Sequence, residues 1–184
     1  MKKYEFTGET KTVPFFFKDV TLHRIQAITS FANVVAGELG GWIEKEENLS
    51  HKGDAWVYGD AVVCGDAVVR GDAVVSGNAV VRGNAVVREN AWVRGNAVVS
   101  GDAVVSGDAE VFSVRHVLVI GPIGSRNAFT TFYHDKDNEI TVQCGCFIGK
   151  IDKFLEKVTQ THCDSKYALV YRAAVEVAKL QIEL

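Results

Sequence analysis

Ten consecutive hexads, from Asp54 to Ser113, repeat the pattern [DN]-A-x-V-x-G: DAWVYG, DAVVCG, DAVVRG and onward to DAEVFS. A period of six suits neither a helix of 3.6 residues per turn nor an array of hairpins with long strands. It matches the short strand and corner of a parallel β-helix, whose repeats contact only their neighbours. The glycine before each Asp or Asn reaches turn conformations closed to other residues, and Asn or Asp favours a turn through local backbone hydrogen bonds. Glu89 and Ser113 break the glycine rule, so Glu89 marks a corner that is either tolerated or specially used.

The hexads resemble those of left-handed β-helices, in which three hexads make one triangular coil. The resemblance implies that the second valine of each hexad, from Val57 to Val111, points inward and that the hexad alanine fills the corner. Every third hexad then falls in one column, with neighbours about 4.8 Å apart. Trp56, Val74 and Trp92 share one outward column; Val62, Val80, Val98 and Val68, Val86, Val104 form two more. That much outward Val and Trp needs cover from the terminal segments or from another subunit. A homo-oligomer with Trp56, Val74 and Trp92 in its interface is therefore expected. Arg70 and Arg88 share a column on adjacent coils, either as solvated charges or as holders of a carboxylate or phosphate.

The chain divides into 1–53, N-terminal strands and a degenerate opening coil; 54–113, the hexads; and 114–184, a C-terminal α+β extension, together one continuous domain. "YEFTGETKTVPFFF" and "VTLHRIQAI" read as two strands joined by a turn, and "VVAGELGGWIEKEENLS" as irregular hexads with an insertion. His23 and Arg24 within this cap suit structural pairing. After the repeat, "RHVLVIGPIG" is a strand, and "AFTTFYH" and "EITVQCGCF" make a hairpin about residues 135–138. Apolar spacing predicts a helix over 151–161 and a second from Asp164 or Ser165 to the C-terminus. The fold class is thus mainly β: a left-handed parallel β-helix with an N-terminal strand cap, a hairpin and two helices.

A net charge of −3 gives no footprint for a nucleic-acid polymer, and no stretch approaches the ~18 apolar residues that cross a bilayer. No apolar signal core opens the chain, so a cytoplasmic location is expected. The four cysteines lack zinc-ligand spacing. Cys144 and Cys146, two apart in a strand, would share one face as half-buried thiols, and neither a metal nor a cofactor is expected.

The segment "GPIGSRNAFTTFYHD" is the densest polar and aromatic stretch outside the repeat. Ser125, Arg126 and Asn127 form a donor set after Gly124, with Arg126 suited to bidentate phosphate or guanine contacts. Asn127, Thr130 and Thr131 can read a base edge or ribose, Phe132 and Tyr133 can stack on a base, and Lys166 with Tyr167 can close the pocket. Each also has an ordinary reading, as a loop tie or hairpin core. No histidine lies among the hexads, where acyltransferases built on this fold usually place a general base, so no catalytic residue is expected. A CoA-dependent acyltransferase and a self-assembling structural protein are the alternatives.

The succession "LHRIQAI", "GELGGWIEKEENLS", hexads, "GSRNAFTTFY", "CGCFIGKIDKF", "THCDSKYALVY" resembles a β-helix family common in phages and prophages. That resemblance implies relation to viral anti-CBASS sponges, which sequester cyclic dinucleotides such as 3′3′-cGAMP without cleaving them. The implied setting is the cytoplasm of an infected bacterial host.

Overall fold

A computed structural model describes residues 2–15 and 18–184. The first predicted strand also took in Phe16 and Phe17, which lie outside the described residues. Strands β1 (Tyr4–Phe15) and β2 (Lys18–Ala27) pair antiparallel, and β2 pairs with β3 (Leu39–Ile43). Ten two-residue strands follow, one per hexad, from β4 (Trp56–Val57) to β13 (Glu110–Val111). They stack in parallel as a left-handed β-helix of about four coils.

The register is that of the repeat. Trp56 pairs with Val74, Val74 with Trp92 and Trp92 with Glu110. Earlier coils carry the insertion: Trp42 pairs with Val62, and Leu49 bridges to Val69, two residues more than the regular offset. Every hexad alanine and every second valine is buried, so the interior is a column of one small and one branched side chain per hexad. Such a core is closely filled because each side chain meets its own kind on the next coil.

Corners hold the coils at this spacing. At Gly53, with φ of +72°, an added Cβ would stand 2.5 Å from the Gly71 carbonyl oxygen. Glu89 occupies one such corner in the left-handed conformation, at φ 60°. Its carboxylate accepts from the Gly107 N–H on the next coil at 2.8 Å, a bond that glycine lacks and that offsets part of the strain. Glu89 is therefore a corner put to use.

Backbone hydrogen bonds tie each coil to the next: Trp56 N–H donates to Ala73 O, Tyr58 to Val75, Val62 to Ala79 and Cys64 to Val81. The outer edge of each end coil carries both N–H and C=O groups, as the edge of any parallel sheet does. Donors cover the first end: Lys3 Nζ reaches the oxygens of Gly53 (3.1 Å) and Ala55 (2.6 Å), and the Tyr4 hydroxyl those of Glu46 (3.0 Å) and Leu49 (2.9 Å). Burial draws the Lys3 amine down to about 8, which still leaves it charged at neutral pH. Both kinds of group are met at the other end: Thr131 Oγ1 takes the Val104 N–H at 3.0 Å and His116 Nδ1 that of Phe112 at 3.3 Å, while the Asp108 carbonyl accepts from the Lys136 N–H at 3.1 Å and the Glu110 carbonyl lies 2.8 Å from His134 Nδ1.

The N-terminal cap also corrects the expected interface. Trp56 is fully buried within its own chain, against the rings of Tyr4, Phe31 and Tyr58, because the N-terminal segment covers that end of its column. It cannot meet a second subunit. Val74 is half-buried and Trp92 is exposed, with the Arg94 guanidinium over its ring. His23 stacks on Phe6 and Arg24 lies over Trp42, the structural pairing expected of them.

Beyond the last coil, β14 (Val117–Ile123), β15 (Ala128–His134), β16 (Ile140–Cys144) and β17 (Phe147–Lys150) form an antiparallel meander. "EITVQCGCF" is thus two strands and not one, because Gly145 (φ 61°) turns the chain between the two thiols. Cys144 and Cys146 do not share a strand face. One side of the sheet meets the β-helix, through Thr131 on Val104 and Tyr133 beside Ser106. The other carries α1 (Ile151–His162) and α2 (Lys166–Gln181) over a second apolar cluster that includes Phe132, Val142, Phe154 and Val175.

Two outcomes follow. Tyr4→Phe removes the hydroxyl donor to the buried Leu49 carbonyl and one of the two donors to that of Glu46, and should lower stability by about 1–3 kcal/mol, read from the urea midpoint. Burial, then the neighbouring His134, holds the His116 imidazole below its ordinary pKa, so the unfolded chain takes up that proton first. The His116 contribution is complete above about pH 6.5 and is lost as pH falls through its lowered folded value. A melting temperature that drops on acidification in this range, with a flatter drop in His116→Gln, is expected.

Candidate functional site

A cavity of about 200 Å³ opens between the sheet and the two helices. Three pieces of backbone build it. The β14–β15 turn brings Ser125 and Arg126. The β16–β17 turn brings Cys144, Gly145, Cys146 and Phe147. Helix α1 turns one face inward, Phe154, Lys157, Val158, Thr161 and His162, at the spacing of residues stacked along one side of a helix. Tyr171 of α2 completes the wall.

The floor is apolar and the rim cationic. Phe147, Phe154 and Tyr171 form an aromatic corner, with Phe154 edge-on to Tyr171 at 5.5 Å and tilted against Phe147 at 5.5 Å. Burial, reinforced by the adjoining Cys144 thiol, pushes the Tyr171 hydroxyl up to about 12, so it remains a neutral donor and acceptor. The Arg126 guanidinium lies beside Gly145, where a Cβ would stand 3.6 Å from Nη1. Neither Arg126 nor Lys157 makes a hydrogen bond or an ion pair among the described residues. By contrast Lys2, Lys45, Lys136, Lys150, Arg115 and Arg172 each lie against a carboxylate.

Cys144 Sγ accepts from Thr130 Oγ1 at 3.3 Å and lies 3.9 Å from the Tyr171 hydroxyl. His162 stacks on Tyr171, ring centres 5.8 Å apart, and no hydrogen bond joins it to either thiol among the described residues. No group of three or more His, Cys, Asp or Glu side chains among those residues is placed to hold a metal. No helix among them is long and apolar enough to cross a membrane.

Of the predicted ligand contacts, the structure brings Ser125 and Arg126 to this cavity. Asn127 sits on the outer side of the turn, exposed at φ 46°. Thr130, Thr131, Phe132 and Tyr133 have no surface left for a ligand, being at most 1% exposed. The reason is that β15 is covered on both faces, by the β-helix end and by the helices. Lys166 is exposed over the ring of its neighbour Tyr167, which faces His162 at 6.0 Å. Neither lines the cavity. Sequence reasoning missed Lys157 and Thr161, although both border the apolar stripe Phe154–Val158. Tyr171 packs into the apolar cluster beneath α2 on one side of its ring and lines the cavity on the other.

No protein-family model matches the chain. A stretch of 62 residues is 37% identical to the uncharacterized acetyltransferase YdcK of Escherichia coli (strain K12), covering 32% of this chain and 19% of that protein. The chain therefore corresponds to less than a fifth of this relative's length.

Gly124 fixes one wall. Its φ is +71°, and a Cβ there would lie 1.9 Å from the Tyr171 hydroxyl. Gly124→Ala should therefore displace Tyr171 and cost about 1–3 kcal/mol of stability, measured by chemical denaturation.

Proposed function

We propose that this protein captures a small phosphorylated ligand in the cavity between the C-terminal sheet and helices, without chemically changing it. The observation that carries this reading is the pair of unpartnered cations, Arg126 and Lys157, converging on an aromatic-floored pocket. A cation left without a carboxylate beside an apolar floor suits a ligand with an anionic group and a flat or apolar body. Arg126 offers a planar fork for a phosphate, Lys157 a point charge, and Ser125 and Thr161 add hydroxyl donors. Phe147 and Tyr171 supply ring surface for a base.

Within this class, a cyclic dinucleotide such as 3′3′-cGAMP is the ligand we propose, and sequestration the function. Capture needs affinity and no turnover, which agrees with thiols and an imidazole that are not coupled to one another. A cavity of about 200 Å³ is below the roughly 300–1,000 Å³ of pockets that enclose a whole drug-sized ligand. It accommodates one phosphate with part of one nucleoside, and the remainder of a dinucleotide lies outside it.

The acetyltransferase name of the YdcK relative favours a second reading, transfer of an acetyl group from a CoA thioester. No histidine stands among the hexads, so its general base would have to come from outside them.

Isothermal titration and thermal shift with a panel of cyclic dinucleotides, cyclic ADP-ribose derivatives and acetyl-CoA separate these readings. Capture predicts a raised melting temperature and ligand recovered intact after heat denaturation. Arg126→Ala should remain folded and lose about 1.5–3 kcal/mol of binding, roughly tenfold to a hundredfold in Kd. Binding unaffected by Arg126→Ala and Lys157→Ala removes the cavity as the site. Transfer of acetyl to an amine replaces capture with catalysis.

A further inference from the structure

The two C-terminal helices turn opposite kinds of surface outward. On α1 the exposed positions include Asp152, Lys153, Glu156, Thr159 and Gln160, an ordinary solvated face. On α2 they include Leu169, Val170, Ala173, Val177 and Leu180, the last 89% exposed. The inner side of α2 is already occupied, because Tyr171, Ala174, Val175 and Ala178 pack into the cluster beneath. The outer residues Val170, Ala173, Val177 and Leu180 follow one another at three, four and three residues. That is the 3.5-residue period of a coiled-coil seam, and it lies on a different side of the helix from the core stripe.

We propose that this seam is a self-association surface, on which α2 of one copy packs antiparallel against α2 of a second copy about a two-fold axis. The charges at its two ends choose the occupant and the direction. Lys166 stands at the head of the seam, one turn before Val170, and is exposed. At the far end lie the last helical carbonyls and Glu183, which Arg115 holds in an ion pair. An antiparallel copy places each Lys166 near the other helix's C-terminus and Glu183, where a cation is favoured. A parallel copy would set lysine against lysine and glutamate against glutamate.

The side chains agree with that direction. With the axis near the middle of the seam, Val170 faces Leu180 of the other copy and Ala173 faces Val177, the smaller member of each pair against the larger. The contact is isologous and closes at two copies. Helix α2 has 16 residues, about 24 Å of length, so the seam by itself buries less than the roughly 1,200 Å² of a stable standard interface. Association in the micromolar range is expected.

Sedimentation velocity on the ligand-free protein, from low to several hundred micromolar, tests this. A monomer–dimer equilibrium is expected, weakened about tenfold or more by Leu180→Glu with no loss of melting temperature. Lys166→Glu should weaken it as well, and Trp92→Ser, on the exposed β-helix face, should leave it unchanged. A monomer at every concentration overturns the proposal, as does a dimer that survives Leu180→Glu and dissociates with Trp92→Ser. A dimer indifferent to Lys166→Glu overturns the antiparallel direction. All of these are read without ligand, so they stand or fall apart from the capture reading.

Discussion

Parallel stacking leaves the two end coils of this molecule with backbone N–H and C=O groups that no further coil can meet. An unpaired buried peptide group is costly, so each end demands a cap that supplies partners. At one end the ammonium of Lys3 and the phenol of Tyr4 meet carbonyls; at the other the hydroxyl of Thr131 and the imidazole of His116 meet N–H groups, and the Lys136 N–H meets the Asp108 carbonyl. The C-terminal unit is positioned by this requirement, since Thr131 and His116 belong to it or to its approach. The cavity lies on the side of that same sheet remote from the β-helix, so the cap both closes the stack and presents the candidate site.

The periodic parts of this fold were legible in the sequence, and the contacts between its units were not. Hexad spacing located all ten short strands because each coil obeys the same local rule as its neighbours. The two helices followed from their apolar stripes in the same way. What escaped were features decided by packing between units. Trp56 occupies an outward register position and yet is buried, because only the placement of Tyr4 and Phe31 covers it. The residues Thr130 to Tyr133 look like ligand contacts until β15 is seen to be covered on both faces. Arg126 was legible as a donor exposed on a turn. Lys157 was not, since a lysine beside a helix stripe is ordinary until another element brings a second cation across from it.

The polar groups of the cavity are engaged with their neighbours: the Cys144 thiol with the Thr130 and Tyr171 hydroxyls, and the His162 imidazole with the Tyr171 ring. Arg126 and Lys157 have no carboxylate partner among the described residues. On the proposed capture reading, binding energy spent in such a pocket goes to affinity. Its rigidity comes from the sheet, whose turn residues Gly124 and Gly145 leave no room for a side chain or lie in a conformation that disfavours one.

The near-identity of the hexads means that the core hardly distinguishes one coil from another. Sliding the stack by a full coil would return almost the same valines and alanines to almost the same neighbours. What assigns each coil its place are the exceptions: the two-residue insertion before Val62 and Val69, the ring of Trp56, the carboxylate of Glu89 on Gly107, and the two dissimilar caps. These residues act as an address system on an otherwise uniform ruler. A chain built this way can gain or lose whole coils of eighteen residues between its addresses while its ends, and the cavity attached to one of them, stay as they are.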